Sequence, residues 1–341
     1  MLKTRRFWIG LVFIAVFLGL FLWRVDYVEM GRALASAEYI YLLPALAAYF
    51  AGVWLRAWRW QYILEPLGRV PVIRLFPLMM IGFMINDILP GRLSLPARAY
   101  IIGEKEGISK MASASTILVE NVFDGLTLLF ILVLCFFLLP AAHWPDWTTN
   151  VVWILSVAFV GALILLILMT FKEDVTQRLF GSILRIIPAK WRPRLSIWFG
   201  RALIGLISLR SAKRLLTVFA LSVAAWACVG GMFYSLSLAF DLQQSFLAML
   251  AVAAIANLAW VLVIMVPGGI GPFEFASKET LVSFGVSSAV AVPYAAVVHA
   301  CMVLPEIILG FIFLWMANMS LSEVVSSENT ADVQVEIKVD E

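Results

Sequence analysis

Ionisable side chains stand inside strongly apolar runs at spacings that bring them to one helix face. Glu120 and Asp124 are four residues apart, and His299 and Glu306 are seven apart; both spacings align side chains on a helix. Arg56 and Arg59 follow a run rich in Trp and Leu, flanked by Trp54, Trp58 and Trp60. Glu274 follows Pro267-Gly268-Gly269-Ile270-Gly271-Pro272-Phe273, in which three glycines and two prolines fall within six residues. That composition breaks a regular helix. Carboxylates beside a histidine can move protons or balance a cation, and arginines can grip a phosphate through paired hydrogen bonds. Each group also has a plainer reading. Glu120 can pair with a buried Arg or lie within a turn of the surface, Arg56 and Arg59 can snorkel, and His299 can be a core residue bonded to a backbone carbonyl. Glu306, central in its run and next to Pro305, is the hardest to assign to packing alone.

The elements that carry these residues are membrane helices. Of the 341 residues, 63% are hydrophobic and only 14% charged, against roughly 25% charged in a soluble domain. The mean hydropathy is +0.97. Clear spans are Phe7–Trp23, Tyr39–Leu55, Ala112–Leu139, Val151–Phe171, Leu215–Phe240, Phe246–Val266 and Ala289–Met316, each near or above the ~20 residues needed to cross. The first is preceded by Lys3, Arg5 and Arg6 and reads as an uncleaved signal anchor with a cytoplasmic N-terminus. Cys135, Cys228 and Cys301 all lie in apolar runs and form no disulfide or metal-ligand pattern. No cofactor is implied. The basic residues follow membrane asymmetry, which gives nucleic-acid binding no support.

Charge sets the orientation. The stretch from Lys172 to Arg214 carries ten Lys or Arg against Glu173 and Asp174, so it is expected in the cytoplasm. Its Leu, Ile and Trp residues also suit an amphipathic segment on anionic lipid headgroups. The shorter run Leu75–Leu89 has Arg56, Arg59, Arg69 and Arg74 before it and Arg92, Arg98, Lys105 and Lys110 after it. It therefore reads as a re-entrant segment. The same counting puts both Pro-Gly breaks on the cytoplasmic side and the acidic, disordered tail 320–341 outside.

An internal repeat is also legible. Asp87-Ile88-Leu89-Pro90-Gly91 is echoed by Ile264-Met265-Val266-Pro267-Gly268, and Gly107-Ile108-Ser109 by Gly285-Val286-Ser287. The expected fold is an all-α polytopic helix bundle of about seven spans plus two re-entrant hairpins. A membrane domain would cover 1–319, with halves 39–139 and 215–317 joined through the basic loop 172–214. Repeated halves with broken helices belong to secondary transporters, with a site between the halves.

The chain resembles the lysylphosphatidylglycerol-synthase transmembrane, or flippase-like, family. The resemblance rests on Arg56-Ala57-Trp58-Arg59-Trp60, Asn86 to Pro90-Gly91-Arg92 with Arg98, Glu120 to Asp124, Pro267-Gly268-Gly269-Ile270-Gly271 with Glu274, and Gly285-Val286. Ser94-Leu95 depart from the Gly-Glu usual after the first Pro-Gly-Arg, and Asn121 stands where an Arg is common. In bifunctional members this membrane part moves an aminoacylated lipid that a separate soluble domain makes. An aminoacyl-phospholipid synthase is not expected here. The resemblance implies a translocator of a lipid or lipid-linked headgroup in a bacterial inner membrane. Its substrate-binding candidates are Arg56, Arg59, Arg92, Arg98, Glu120, Asp124, Gly268, Gly269, Gly271, Glu274, His299 and Glu306. The competing readings are a membrane-embedded transferase acting on a lipid-linked substrate and a non-catalytic partner of a separate synthase.

Overall fold

The computed structural model describes residues 16–22, 26–89, 93–139, 211–263, 266–321 and 323–324, with scattered positions between 153 and 196. Arg92, most of the basic loop 172–214 and most of the tail 320–341 lie outside the described residues. The described residues are helical, with no strand among them. Nine helices carry the argument: α1 (Tyr27–Ser36), α2 (Leu42–Leu64), α3 (Val72–Ile88), α4 (Ser94–Glu106), α5 (Lys110–Leu138), α6 (Ala212–Ala239), α7 (Phe246–Leu262), α8 (Pro272–Ser283) and α9 (Ser288–Met316). Four of the described segments are long and apolar enough to cross a membrane: Tyr39–Leu64, Lys110–Leu138, Ala212–Ala239 and Ser288–Met316. The chain is a multi-pass membrane protein.

Helix α2 runs well past Leu55, the end expected from hydropathy. Nothing in Arg56-Ala57-Trp58-Arg59-Trp60-Gln61 stops a helix, and the charge of Arg59 is neutralised by Glu120 and Asp124 of α5. α2 packs antiparallel on α6 along its whole length. The Glu38 amide donates to the Ala239 carbonyl at 2.9 Å, Arg59 meets Ser222 at 2.9 Å, and Glu65 meets Arg214 at 2.7 Å. Small residues allow this approach, as they do between membrane helices generally. A Cβ on Gly52 would stand 3.2 Å from the Ala225 carbonyl, and one on Gly231 would stand 3.6 Å from Ala48 Cβ.

α3 and α7 are the interior helices. Each has 17 residues, about 26 Å at 1.5 Å per residue, and α3 buries nine of its residues. A helix apolar on all sides is one enclosed by others. Each turns back on itself. Arg74, at the start of α3, pairs with Glu106, the last residue of α4, at 2.8 Å. Gln244, just before α7, donates to the carbonyl of Phe284, just after α8, at 3.3 Å. The two hairpins open at opposite ends of the bundle. Lys105 on α4 reaches the Ala317 carbonyl beyond the end of α9 at 2.6 Å, whereas α8 leads into the start of α9. Their tips meet: a Cβ on Gly268 would lie 3.3 Å from the Asp87 carbonyl.

α3 packs antiparallel on α9 at close range. A Cβ on Gly310 would fall 2.4 Å from Met84 Cβ and 3.0 Å from the Met80 carbonyl. Gly310→Ala should therefore overpack this contact and cost on the order of 1–3 kcal/mol. It should lower the melting temperature of the solubilised protein, whereas Gly231→Ala, which makes an ordinary contact, should leave it nearly unchanged.

Candidate functional site

Three buried polar clusters hold nearly all the candidates. The first joins α2, α4, α5 and α6. Arg59 is fully buried. Its Nη1 donates to Asp124 Oδ1 at 2.7 Å and to Ser222 Oγ at 2.9 Å. Its Nη2 donates to Glu120 Oε1 at 3.1 Å and Asp124 Oδ2 at 3.0 Å. Arg98 Nη2 takes the other Glu120 oxygen at 2.8 Å. Trp226 donates to Asp124 at 3.0 Å, and the Arg98 guanidinium lies 4.0 Å over the Trp60 ring. The α-helical spacing of Glu120 and Asp124 presents both carboxylates to one planar guanidinium. Two cations and two anions balance within this cluster. Arg59 does not snorkel, and Glu120 takes the buried-pair reading.

The second cluster joins the tip of the α7–α8 hairpin to α9. Gly268, Gly269 and Gly271 have φ of 59°, 67° and 97°, a region that favours glycine. The Gly271 amide donates to Glu274 Oε2 at 2.7 Å, so the carboxylate closes the start of its own helix. Glu274 Oε1 lies 2.7 Å from His299 Nδ1, and His299 Nε2 lies 2.8 Å from the Gly268 carbonyl. A carbonyl can only accept, so Nε2 carries hydrogen. One further proton is shared across the Nδ1–Oε1 contact. Phe273 stacks on the imidazole at 4.4 Å. The ring is held on both nitrogens and one face, and one of those contacts is the backbone carbonyl foreseen for a core histidine.

The third cluster lies where the hairpin tips approach each other. Glu306 on α9 accepts from the Tyr49 hydroxyl on α2. Asp87 lies about one turn beyond Met84 on α3, and Glu306 about one turn before Gly310 on α9; the close Met84–Gly310 contact of these antiparallel helices brings the two carboxyls to the same level. Both are buried, and neither Asp87 oxygen nor Glu306 Oε2 has a hydrogen-bond partner. Arg56 faces this cluster from α2, seven residues beyond Tyr49. It acts electrostatically on Glu306 and on Asp124 of the first cluster. Its guanidinium sits 4.5 Å over the Trp226 ring and 5.8 Å over Phe83. Among the described residues it makes no salt bridge, and the carboxylates of Glu306 and Asp124 act on it only from a distance.

The candidates thus separate by how fully they are engaged. Arg59, Arg98, Glu120 and Asp124 hold one another, Glu274 and His299 hold each other, and Arg56 and Glu306 remain open. Arg92 lies outside the described residues. Tyr49 and Asp87 were not among the candidates. Asp87 had a signal, since it ends an apolar run, but a lone tyrosine on an aromatic-rich helix gives none. Ser222 and Trp226 were likewise invisible, because only the antiparallel packing of α6 on α2 brings them to Arg59 and Asp124.

Glu120 alone bridges the two buried guanidiniums of Arg59 and Arg98. Removing one member of a buried ion pair costs roughly 3–5 kcal/mol, because the partner charge is stranded. Glu120→Ala should therefore lower the melting temperature sharply and reduce the yield of folded protein. Arg74→Ala, at an exposed pair, should change the melting temperature little.

The chain is similar to two membrane proteins of Methanothermobacter thermautotrophicus, each named UPF0104 membrane protein. One is 24% identical over 306 residues, covering 83% of this chain and 85% of that protein. The other is 27% identical over 206 residues, covering 59% of this chain and 56% of that protein. The family model described as the lysylphosphatidylglycerol synthase TM region matches residues 7–310, and the protein belongs to that family.

Proposed function

We propose that the protein translocates a lipid, or the headgroup of a lipid-linked substrate, across the plasma (inner) membrane. The observation that carries this reading is Arg56: a half-buried residue whose guanidinium is framed by Trp226 and Phe83 and makes no salt bridge among the described residues. Three described arginines were candidates for a headgroup phosphate, and Arg59 and Arg98 are occupied by Glu120 and Asp124. A half-buried guanidinium with no salt bridge keeps donors free for a ligand, and an anionic headgroup would engage them through paired hydrogen bonds.

The architecture proposed around it has six spans and two re-entrant hairpins that enter from opposite sides. Hydropathy reads Phe246–Val266 as a seventh span, but about 26 Å of helix falls short of the ~30 Å hydrocarbon core. The pairing of Gln244 with Phe284 favours a hairpin instead. The two halves correspond element by element. Helices of 17, 13 and 29 residues (α3–α5) match helices of 17, 12 and 29 (α7–α9). A left-handed glycine, Gly107 or Gly285, precedes each long helix. Because α2 and α6 run antiparallel, the repeat in this reading is inverted, with a site near mid-depth between the halves. Both breaks then lie within the membrane and the tail 320–341 in the cytoplasm. The basic loop 172–214 would rest on anionic headgroups of the same leaflet.

A membrane-embedded transferase fits less well. The one carboxylate–imidazole pair among the described residues, Glu274 with His299, is engaged with the hairpin backbone on both sides.

Two experiments test these readings. In proteoliposomes carrying fluorescent phosphatidylglycerol, the protein should speed movement between leaflets, and Arg56→Ala should slow it by ~10-fold or more, since one charge-assisted hydrogen bond contributes ~1.5–3 kcal/mol. Its melting temperature should stay near that of the parent. If no probe lipid of any headgroup moves faster than in protein-free vesicles, the translocator reading is wrong. Lys105→Cys and Ser287→Cys should react with an impermeant maleimide from opposite sides; labelling from the same side would remove the inverted arrangement.

A further inference from the structure

The three buried clusters differ in charge balance. Arg59 and Arg98 offset Glu120 and Asp124. Glu274 and His299 share one proton and are neutral as a pair. The third cluster has two carboxyls, Asp87 and Glu306, and three of their four oxygens are unpartnered. Asp87 is only 6% exposed and Glu306 4%. The charged or titratable groups around them are Tyr49 and Arg56 on α2 and His299 on α9. His299 is committed to Glu274. Arg56 supplies one positive charge from a distance, so two ionised carboxylates would leave a net negative charge in a low-dielectric interior. Neighbouring carboxyls in such a place cannot both ionise.

We infer that Asp87, Glu306 and Tyr49 form a proton-carrying site, in which the two carboxyls share one exchangeable proton and the Tyr49 hydroxyl holds the ionised oxygen of Glu306. Loading forms one carboxyl O–H bond with a proton taken from water, and release breaks it; nothing is oxidised or reduced. The site lies where the hairpin tips touch, with the Asp87 backbone against Gly268. Its occupancy therefore alters the force between Asp87 on α3 and Glu306 on α9, beside that contact. Resting on the translocator reading, the site is also linked to the substrate. An anionic headgroup on Arg56 cancels the one cation that helps the pair ionise, so headgroup binding draws a proton in, and proton loading favours headgroup binding. Among the described residues, no other candidate carboxyl is placed to do this: Glu120 and Glu274 have both oxygens engaged.

Infrared difference spectroscopy on the purified full chain tests the proton directly. At neutral pH the protein should show a protonated-carboxyl absorption that disappears in Asp87→Asn and in Glu306→Gln and persists in the exposed Glu104→Gln. Tyr49→Phe, which keeps both carboxyls, should retain the band at a shifted frequency, so a folding failure in one variant does not decide the matter. The absence of the band in the parent protein, or its survival in both carboxyl variants, would overturn the site. In proteoliposomes, an imposed pH gradient should change the rate of phosphatidylglycerol movement several-fold, and Glu306→Gln should abolish that response. A rate that follows a sodium gradient and ignores pH would overturn proton coupling. If the parent moves no lipid at all, the translocator reading fails, while the infrared result still decides the proton site.

Discussion

Glu120 sits between two guanidiniums in the apolar interior, and the positions of four helices follow from that one bridge. A buried carboxylate or arginine is tolerated only when its charge is matched and its hydrogen-bonding atoms are engaged. Arg59 on α2 must therefore find Glu120 and Asp124 on α5, and Arg98 on α4 must reach the far oxygen of the same Glu120. Asp124 in turn is held by Trp226 of α6. Apolar packing brings the helices together, but lipid is as apolar as leucine and offers them no preferred rotation. The bridge supplies it. It fixes which face of α2 points inward, and so directs Tyr49 and Arg56 of the same helix toward the hairpin tips.

The hairpins obey a related constraint. Their backbones are interrupted inside the bundle, and the freed amides and carbonyls need partners where water is scarce. At the α7–α8 tip these come from Glu274 and His299, which engage the Gly271 amide and the Gly268 carbonyl. Asn86 does the equivalent on the other side, accepting from the Ser94 amide at the start of α4 at 3.2 Å. Positive φ at Gly268 and Gly269 lets the chain turn tightly enough to bring one tip against Asp87 and against the Trp260 indole, 2.5 Å from where a Cβ on Gly269 would stand.

Much of this was legible in the sequence. Hydropathy located α5, α6 and α9 to within about three residues at each end, because long apolar runs bounded by charge or Ser leave little latitude. The Pro267–Pro272 break was explicit in its glycines and prolines. Hydropathy failed where polarity inside a helix is compensated from another one. It ended α2 at Leu55, since Arg56 and Arg59 look like a membrane boundary until their carboxylate and aromatic neighbours are known. Of the site, the reactive residue types were readable, but their pairing was not. Nothing local says that Arg59 is ion-paired while Arg56, three residues earlier, makes no salt bridge; that depends on the rotation of α2 against α5 and α6.

The distribution of engaged and open groups says which parts of such a machine can move. Arg98 ties α4 to α5 through Glu120, and Glu274 ties α8 to α9 through His299. In the proposed repeat these are corresponding pairs with the signs exchanged: base on the hairpin and acid on the long helix in one half, acid on the hairpin and base on the long helix in the other. Each hairpin is thereby fastened to the long helix that follows it in the chain, and breaking either tie would strand a buried charge. No such tie crosses the seam between the halves at the tips. What faces across it is a carboxyl pair with three unpartnered oxygens, the Tyr49 hydroxyl bonded to the fourth, a guanidinium lying over aromatic rings, and glycine backbone against the Asp87 carbonyl. Rearrangement there costs no buried ion pair, because none is made. A rocking motion between the halves would open at this seam and pivot where α2 and α5 are joined to α6 by Arg59–Ser222 and Asp124–Trp226. The groups exposed to it would be those whose charge a headgroup and a proton can complete.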